Sequence, residues 1–165
     1  MEQIYHRFKY LTHFLINMDK KDKLLIRVLE KEGKLSSRQL AKKTMLPIST
    51  AYRRVKRMEK EGVIKGYRAV VDYEKTDRPI PILIFINLEE TNEEEEYVPV
   101  NQIKEKIKKI DEIYQLFEVQ GGDWDIILKA RLEKLKDTNK LMENIRSIPG
   151  IEEIKSSIVT EEMLL

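Results

Sequence analysis

Two short helical patterns joined by a tight connector occupy the stretch from Ser36 to Ile64. The second pattern has an apolar stripe whose members recur at spacings of three, four and three residues: Ile48, Ala51, Val55 and Met58. Such spacing places these side chains on one face of an α-helix, which must pack against a core. The stretch therefore predicts two helices that fold together and leave the outer face of the second helix to solvent.

The face of the second helix opposite this stripe is cationic. At about 100° of rotation per residue, short polar and cationic side chains come first on this face, and further cations follow or flank them. The first group is Ser49, Thr50 and Arg53, and the second group is Arg54, Lys56 and Arg57. A recognition helix enters the DNA major groove by its N-terminal half, so we predict base contacts for the first group and phosphate contacts for the second. Taken alone, the helix also fits an ordinary solvated surface helix.

The helices that precede this one have well-marked ends. Ser36 followed by Gln39 is a capping box, which predicts a helix start. Pro47 suits the first turn of the basic helix, because its missing N–H would be unpaired there in any residue. A further helix is predicted to begin at Asp19 and to end near Gly33. Three helices with inward apolar stripes can close a small core.

The residues of this region resemble a known family. The segments MDKKDKLLIRVLEKEGKLSSRQLAKK and RRVKRMEKEGVIKGYRAVVD are similar to the N-terminal domain of the Lrp/AsnC transcription regulators. The resemblance implies a winged helix-turn-helix DNA-binding domain over residues 19–72, with a hinge strand at its end. The connector departs from the family pattern, which usually has Gly where Met45 stands and Ser-Pro where Pro47 and Ile48 stand.

The two halves of the chain carry opposite charge. Residues 1–72 contain 18 Lys and Arg against 8 Asp and Glu, a net charge of +10, whereas residues 73–165 contain 13 against 21, a net charge of −8. A basic module can collect phosphate contacts, and nucleic acid should repel an acidic one. We place a linker at residues 73–81, where two prolines favour an extended crossing between the halves.

Residues 82–165 have the pattern of strand, helix, strand, strand, helix and strand. The apolar run Ile82–Leu88 predicts a buried strand, and helical stripes follow Val100 and the N-cap candidate Asp137. Further strands are predicted at 113–119, 124–132 and 151–159. The βαββαβ order is that of a ferredoxin-like sandwich, so the whole chain is predicted to be α+β. Helices cover one face of such a sheet, and pairing of the other face with a second copy predicts a dimer.

This second half is also similar to the Lrp/AsnC family. Its segments GGDWDIILKAR and SIPGIEEIKSSIV resemble the family's effector domain, whose Gly-Asp-aromatic-Asp loop lies near a dimer-interface site for amino acids or related small molecules. The resemblance implies an effector site at Gly121, Gly122, Asp123 and Asp125, beside Trp124. A carboxylate there could pair with an α-ammonium group. A plain glycine hairpin without a ligand is the alternative.

The first 18 residues form an amphipathic pattern of their own. Its apolar stripe predicts an extra N-terminal helix that packs on its own chain or on a second protomer. This segment carries the only histidines, His6 and His13, and no cluster of other ligands stands beside them, so we predict no metal site. The chain has no cysteine, no apolar run of about 18 residues and no signal-peptide pattern. These features predict a cytoplasmic protein without a disulfide framework or a membrane span.

The sequence as a whole favours a sequence-specific transcription regulator of Lrp/AsnC type. Its predicted partners are double-stranded DNA, a second copy of the chain or a larger homo-oligomer, and an amino-acid-like effector. One alternative is an enzyme similar to the sirohaem decarboxylases that resemble this family and use histidine and arginine, although no histidine lies beyond His13. Another is an effector-sensing module with a vestigial helix-turn-helix. No catalytic residue or cofactor is predicted, because no catalytic constellation rises above chance.

Overall fold

A computed structural model describes residues 17–89 and 98–162 of the chain. Contacts divide it into two compact units, with the division between Val71 and Asp72. The predicted N-terminal helix with His6 and His13 lies outside the described residues, except for its last positions, and so does most of the acidic stretch after the first strand. The two units are described separately.

The first unit contains three helices with well-defined ends. They are α1 (Lys20–Glu32), α2 (Ser37–Thr44) and α3 (Ile48–Lys60). The Asp19 side chain caps α1, which ends at Gly33 with φ of 66°. Ser36 and Gln39 form the predicted capping box of α2, each side chain accepting a hydrogen bond from the other residue's backbone N–H. These helix ends confirm the predictions from the sequence.

The start of α3 differs from the predicted one. Pro47 is the N-cap, one position before the first helical residue, and its carbonyl accepts the Ala51 N–H at 3.0 Å. The predicted inward position of Ile48 is wrong, because this side chain is 51% exposed. The core of the unit consists of Leu25, Leu29, Leu40, Ala41, Ala51 and Met58. Burial along α3 thus begins with Ala51, one turn into the helix.

Met45 ends α2 in the left-handed conformation, with φ of 53°. This backbone conformation costs an L-residue about 1 kcal/mol or more, and glycine adopts it without a Cβ clash. The Met45 N–H donates to the Ala41 carbonyl, as in a helix end closed by glycine. The connector keeps the geometry that favours glycine, although its residue is methionine.

The connector between α3 and the second unit forms no strand. Residues 65–72 are irregular, and a single 3-10 turn follows at Tyr73–Lys75. The hinge strand predicted at the end of the first domain does not form within the described residues of the single chain. A strand needs hydrogen bonds to a neighbouring strand, and in the described ranges all strand pairing occurs within the second unit.

The second unit is a four-stranded antiparallel sheet with two helices. Its elements are β1 (Ile80–Leu88), α4 (Val100–Ile107), β2 (Ile113–Glu118), β3 (Ile126–Leu132), α5 (Asp137–Arg146) and β4 (Ile151–Ile158). The strand order across the sheet is β2-β3-β1-β4. This is the arrangement of a βαββαβ ferredoxin-like sandwich, so the predicted fold class is confirmed.

Two details of this unit differ from the predictions. Ile80 and Pro81, which we assigned to the linker, already belong to β1. Asp137 is the first helical residue of α5 rather than its N-cap. Its carboxylate accepts the Lys134 N–H at 3.1 Å, so it closes the turn before the helix instead of bonding to the first helical N–H groups.

The core of the second unit lies between the helices and one face of the sheet. Alternate residues of β1, namely Ile82, Ile84 and Ile86, are buried against helical residues such as Ile103 and Ile145. The intervening β1 residues point to the opposite face, because strand side chains alternate. That opposite face, called the open face here, is only half-buried.

Replacing Met45 by glycine should stabilise the first unit. Met45 is 91% exposed, so its loss removes little packing, while glycine relieves the left-handed strain. We expect Met45→Gly to raise the free energy of unfolding by about 0.5–1 kcal/mol, measured by urea unfolding with far-UV circular dichroism.

Met45→Ala is the matched control, because alanine removes the same side chain and keeps the strain. It should change the unfolding free energy by less than about 0.5 kcal/mol. Trp124, the only tryptophan, lies in the second unit, and its fluorescence transition should stay in place in both variants. Equal shifts for glycine and alanine would contradict the strain argument.

Candidate nucleic-acid interface and effector loop

The outer face of α3 presents the residues predicted to read DNA bases. Ser49 and Arg53 are exposed and Thr50 is half-buried, all within the first two turns of the helix. Across residues 17–89 and 98–162, Arg53 has no ion-pair partner. An unpaired guanidinium with two parallel donors suits the acceptor pair of a guanine edge.

Two of the predicted phosphate ligands instead meet a buried carboxylate. Asp22, in the first turn of α1, is 1% exposed. Its two oxygens accept hydrogen bonds from Arg54 Nη1 at 2.9 Å and from Arg57 Nη2 at 2.5 Å. Arg54 Nη1 also lies 2.7 Å from Asp19. One end of α1 thus holds two arginines of α3 by charge-assisted hydrogen bonds.

Two members of this cluster, Arg54 and Asp19, have shifted pKa values. The pKa of Arg54 is raised, first by its hydrogen bond to Asp22 and then by that to Asp19. The pKa of Asp19 is lowered, first by the hydrogen bond it accepts from the Asp22 N–H, with Arg54 acting in the same direction. Both shifts favour the charged forms of Arg54 and Asp19.

Lys56 takes part in a weaker, more exposed network. Its Nζ donates a hydrogen bond to Glu59 Oε2 at 2.8 Å. The other carboxylate oxygen of Glu59 accepts a hydrogen bond from the Tyr67 hydroxyl at 2.9 Å. Burial and then the bond to Glu59 raise the pKa of Tyr67 to about 12. The hydrogen bond to Glu59 raises the pKa of Lys56. Exposed pairs of this kind contribute roughly 0–1 kcal/mol, so the Lys56 ammonium can exchange Glu59 for a phosphate at little cost.

Two residues of the candidate interface were not identified from the sequence. Asp22 could be recognised as part of a capping box, but its pairing with α3 depends on how the helices pack. Tyr52 is half-exposed on α3 beside the predicted base-contacting residues. The helical period alone could have placed Tyr52 outside the apolar stripe.

The residues predicted to bind an effector lie together on the loop between β2 and β3. Gly121 has φ of 85°, which favours glycine. Gly122 and Asp123 are exposed. Asp125 is tied to the sheet: its carboxylate accepts the Leu88 N–H at 2.9 Å. Both carboxylates of this loop are exposed, and Asp123 is the one that is not tied to the sheet within the described residues.

Trp124 connects this loop to the open face of the sheet. Its ring centroid lies 5.7 Å from that of Phe85, and Lys155 Nζ lies 5.0 Å from the Trp124 ring. Phe85 and Trp124 thus form an aromatic surface, with the Lys155 ammonium group over the Trp124 ring. The surface could receive the side chain and the carboxylate of a small amino acid.

The open face carries a row of side chains that crosses all four strands. The strand register aligns these residues, in the order β2, β3, β1 and β4: Phe117, Ile127, Phe85 and Lys155. Phe117 is 40% exposed and the other two apolar members are half-buried. An apolar row of this length on a sheet face is typical of a surface that a partner covers.

The described ranges contain neither a membrane-spanning helix nor a cluster of metal ligands. None of the helices found there is both long and apolar enough to cross a bilayer. Within those ranges, no group of three or more His, Asp or Glu side chains could hold a metal ion.

Both units match known protein families. A winged helix-turn-helix DNA-binding model matches residues 18–65, which include α1, α2 and α3. The Lrp/AsnC ligand binding domain matches residues 83–164, which include most of the sheet unit. The order of the two matches agrees with the order of the two compact units.

Solved structures share the fold of the described chain. The crystal structure of an AsnC family transcriptional regulator from Agrobacterium tumefaciens has a TM-score of 0.75 at 22% identity, covering 90% of this chain and 94% of that one. A complex of a transcriptional regulator from Neisseria meningitidis with L-Met has a TM-score of 0.73 at 21% identity, with the same coverage of 90% and 94%.

Relatives with greater sequence identity extend over most of the chain. HTH-type transcriptional regulator FL11 from Pyrococcus furiosus is 32% identical over 142 residues, which span 86% of this chain and 89% of that protein. The leucine-responsive regulatory protein of Haemophilus influenzae is 31% identical over 147 residues, which span 88% of this chain and 86% of that protein. With the matches to both domain families and the shared fold, these relatives show that the chain belongs to the Lrp/AsnC family of DNA-binding transcription regulators.

Proposed function

We propose that the protein regulates transcription by reading a specific duplex sequence through the outer face of α3. Arg53 supports this proposal most directly, because it is exposed on the recognition helix and unpaired within the described ranges. Ser49, Thr50 and Arg53 contact base edges, and Lys56 contacts phosphate. The net charge of +10 over residues 1–72 attracts the duplex to this unit.

The regulator acts as a homodimer formed through the open face of the sheet. The aligned row that includes Phe117, Ile127 and Phe85 supports this arrangement, because a second copy would remove these apolar side chains from water. An isologous interface uses the same patch on both protomers. Two recognition helices would then meet successive major grooves of a pseudo-palindromic site, about one helical turn or a multiple of it apart.

The loop between β2 and β3 binds a small effector of amino-acid type. The exposed Asp123 carboxylate can pair with an α-ammonium group, and the surface of Trp124 and Phe85 can receive an apolar side chain. The Neisseria meningitidis regulator, which shares the fold, was solved as a complex with L-Met. An amino acid is therefore the first effector class to test.

We propose that the protein is a cytoplasmic regulator and catalyses no reaction. Similar proteins are named as transcriptional regulators. The sirohaem decarboxylase alternative would require histidine and arginine around a tetrapyrrole, and neither histidine of the chain lies in the sheet unit. A purified protein with a tetrapyrrole absorbance band would reverse this assignment.

Substitutions on α3 should separate base reading from phosphate contact. Arg53→Ala should weaken binding to a genomic fragment selected by the protein by about ten- to a hundredfold, since a bidentate base contact contributes about 1–3 kcal/mol. Its effect on a scrambled duplex should be smaller. Lys56→Ala should weaken binding to both duplexes by a similar factor. It should also reduce the slope of log binding constant against log salt concentration by about 0.9. Gel-shift or fluorescence-anisotropy titrations at several salt concentrations measure the affinities and the salt slope.

Arg146→Ala is the charge-matched control for these variants. Arg146 is exposed in the sheet unit, so its loss removes one positive charge without touching the recognition helix. It should leave both affinities within about twofold of the wild type. Equal losses on selected and scrambled DNA for Arg53→Ala and Lys56→Ala would contradict the division of roles. Failure of the wild type to bind any duplex would favour the vestigial helix-turn-helix alternative.

A charge on the open face should break the dimer. Phe117→Glu would bury a carboxylate in an apolar interface, so we expect the dimer dissociation constant to rise at least about a hundredfold in sedimentation equilibrium. Leu135→Glu is the control, because Leu135 is a similarly exposed apolar residue before α5 and lies on no strand. A dimer that tolerates glutamate at position 117, with unchanged circular dichroism, would place the interface elsewhere.

Effector binding should change the fluorescence of Trp124, the only tryptophan in the chain. Titration with L-Met and other amino acids should give a saturable signal for at least one of them. Asp123→Ala should weaken that binding by about tenfold or more through loss of a charged hydrogen bond. Asp111→Ala, at an exposed carboxylate in another turn, should not. A flat response to every amino acid would favour the plain glycine hairpin.

A further inference from the structure

Asp22 joins α1 to the recognition helix at two points about one turn apart. Arg54 and Arg57 both donate to its carboxylate, and they lie three residues apart on α3. Two such contacts to one side chain fix the rotation of α3 about its own axis, because turning the helix would break at least one of them. The direction in which Ser49 and Arg53 point is set by the same rotation.

The same contacts engage the charges of both arginines. The Asp22 side chain is 1% exposed and that of Arg54 is 19% exposed, so moving Arg54 to a phosphate would leave a buried carboxylate short of a partner. Removing one partner of a buried ion pair is strongly unfavourable. Arg57 is 42% exposed but has the shorter contact with Asp22, and Glu61 lies 3.7 Å from its Nε. The Asp22 carboxylate therefore offsets positive charge that these arginines would otherwise present to DNA phosphates.

We infer that Asp22 is a positioning residue, which orients the recognition helix and withholds the Arg54 and Arg57 charges from DNA so that α3 discriminates between sequences. This inference rests on the proposed function and revises the phosphate contacts predicted from the sequence for Arg54 and Arg57. Of the three cations predicted to contact phosphate, Lys56 does so, because its partner Glu59 is more exposed and easily exchanged. Affinity for random DNA is kept low, and the contribution of base contacts to total binding rises accordingly.

The salt dependence of DNA binding tests this inference with matched variants. The probes are a duplex fragment selected from genomic DNA by the wild-type protein and a scrambled duplex of the same composition. Dissociation constants are measured from about 50 to 200 mM salt, where each phosphate contact adds about 0.9 to the log–log slope. Arg57→Gln should leave the slope within about 0.3 of the wild type, whereas Lys56→Gln should reduce it by about 0.9.

Removing the carboxylate should release the withheld charges. Asp22→Asn should raise the slope by about 1 to 2, tighten binding to the scrambled duplex and lower the ratio of selected to scrambled affinity by about tenfold. In the Asp22→Asn background, Arg57→Gln should now reduce the slope by about 0.9. If Asp22 only stabilised the fold, Asp22→Asn would weaken binding to both duplexes. The effect of Arg57→Gln on the salt slope would then be the same with and without Asp22.

Each outcome of these titrations has a definite meaning. If Arg57→Gln in the wild-type background reduces the slope as much as Lys56→Gln, Arg57 binds phosphate and the inference is overturned, even if Asp22→Asn fails to fold. The inference is supported if Arg57→Gln keeps the wild-type salt slope and Lys56→Gln lowers it. If the wild type binds neither duplex, the proposed function fails first. If the wild type binds and Arg57→Gln and Lys56→Gln reduce the salt slope equally, the role inferred for Asp22 fails while the proposed function stands.

Discussion

Each helix in the described part of this chain has a single apolar stripe, and the described helices of the second unit cover only one face of the sheet. The three helices of the first unit bury their stripes against one another, and the sheet of the second unit buries one face against α4 and α5. What remains uncovered includes the polar outer face of α3 in the first unit and the half-buried apolar face of the sheet in the second. The surfaces proposed to bind DNA and a second copy are those that internal packing leaves uncovered.

Charge divides these surfaces further. The number of cations on α3 overstates the charge that this helix offers to DNA, because Asp22 engages two of them. A helix with every cation free would bind any duplex strongly, since phosphate contacts carry no sequence information. Under the proposed function, pairing two arginines internally moves the balance towards base contacts and makes the exposed Arg53 the main candidate for reading sequence.

Local signals were enough to predict most of the fold. Capping residues marked helix ends at Asp19, Ser36 and Gly33, and the apolar run Ile82–Leu88 predicted a buried strand. The failures occurred where a local signal admits more than one outcome. Ile48 has the spacing of a core residue, but α3 begins there and the three-helix core starts one turn later. The pattern after α3 resembled a strand, but extended residues form one only where a neighbouring strand is available.

The sequence by itself determined the order of the elements, their apolar faces and the basic character of α3, because periodicity and capping depend on residues a few positions apart. Only the tertiary structure decided which cations on α3 are free. Asp22 meets Arg54 and Arg57 across 32 and 35 residues of chain, and such contacts depend on how α1 packs against α3. Helical periodicity contains no information about that packing angle, so six similar cationic or polar positions became distinct only once the helices were in place.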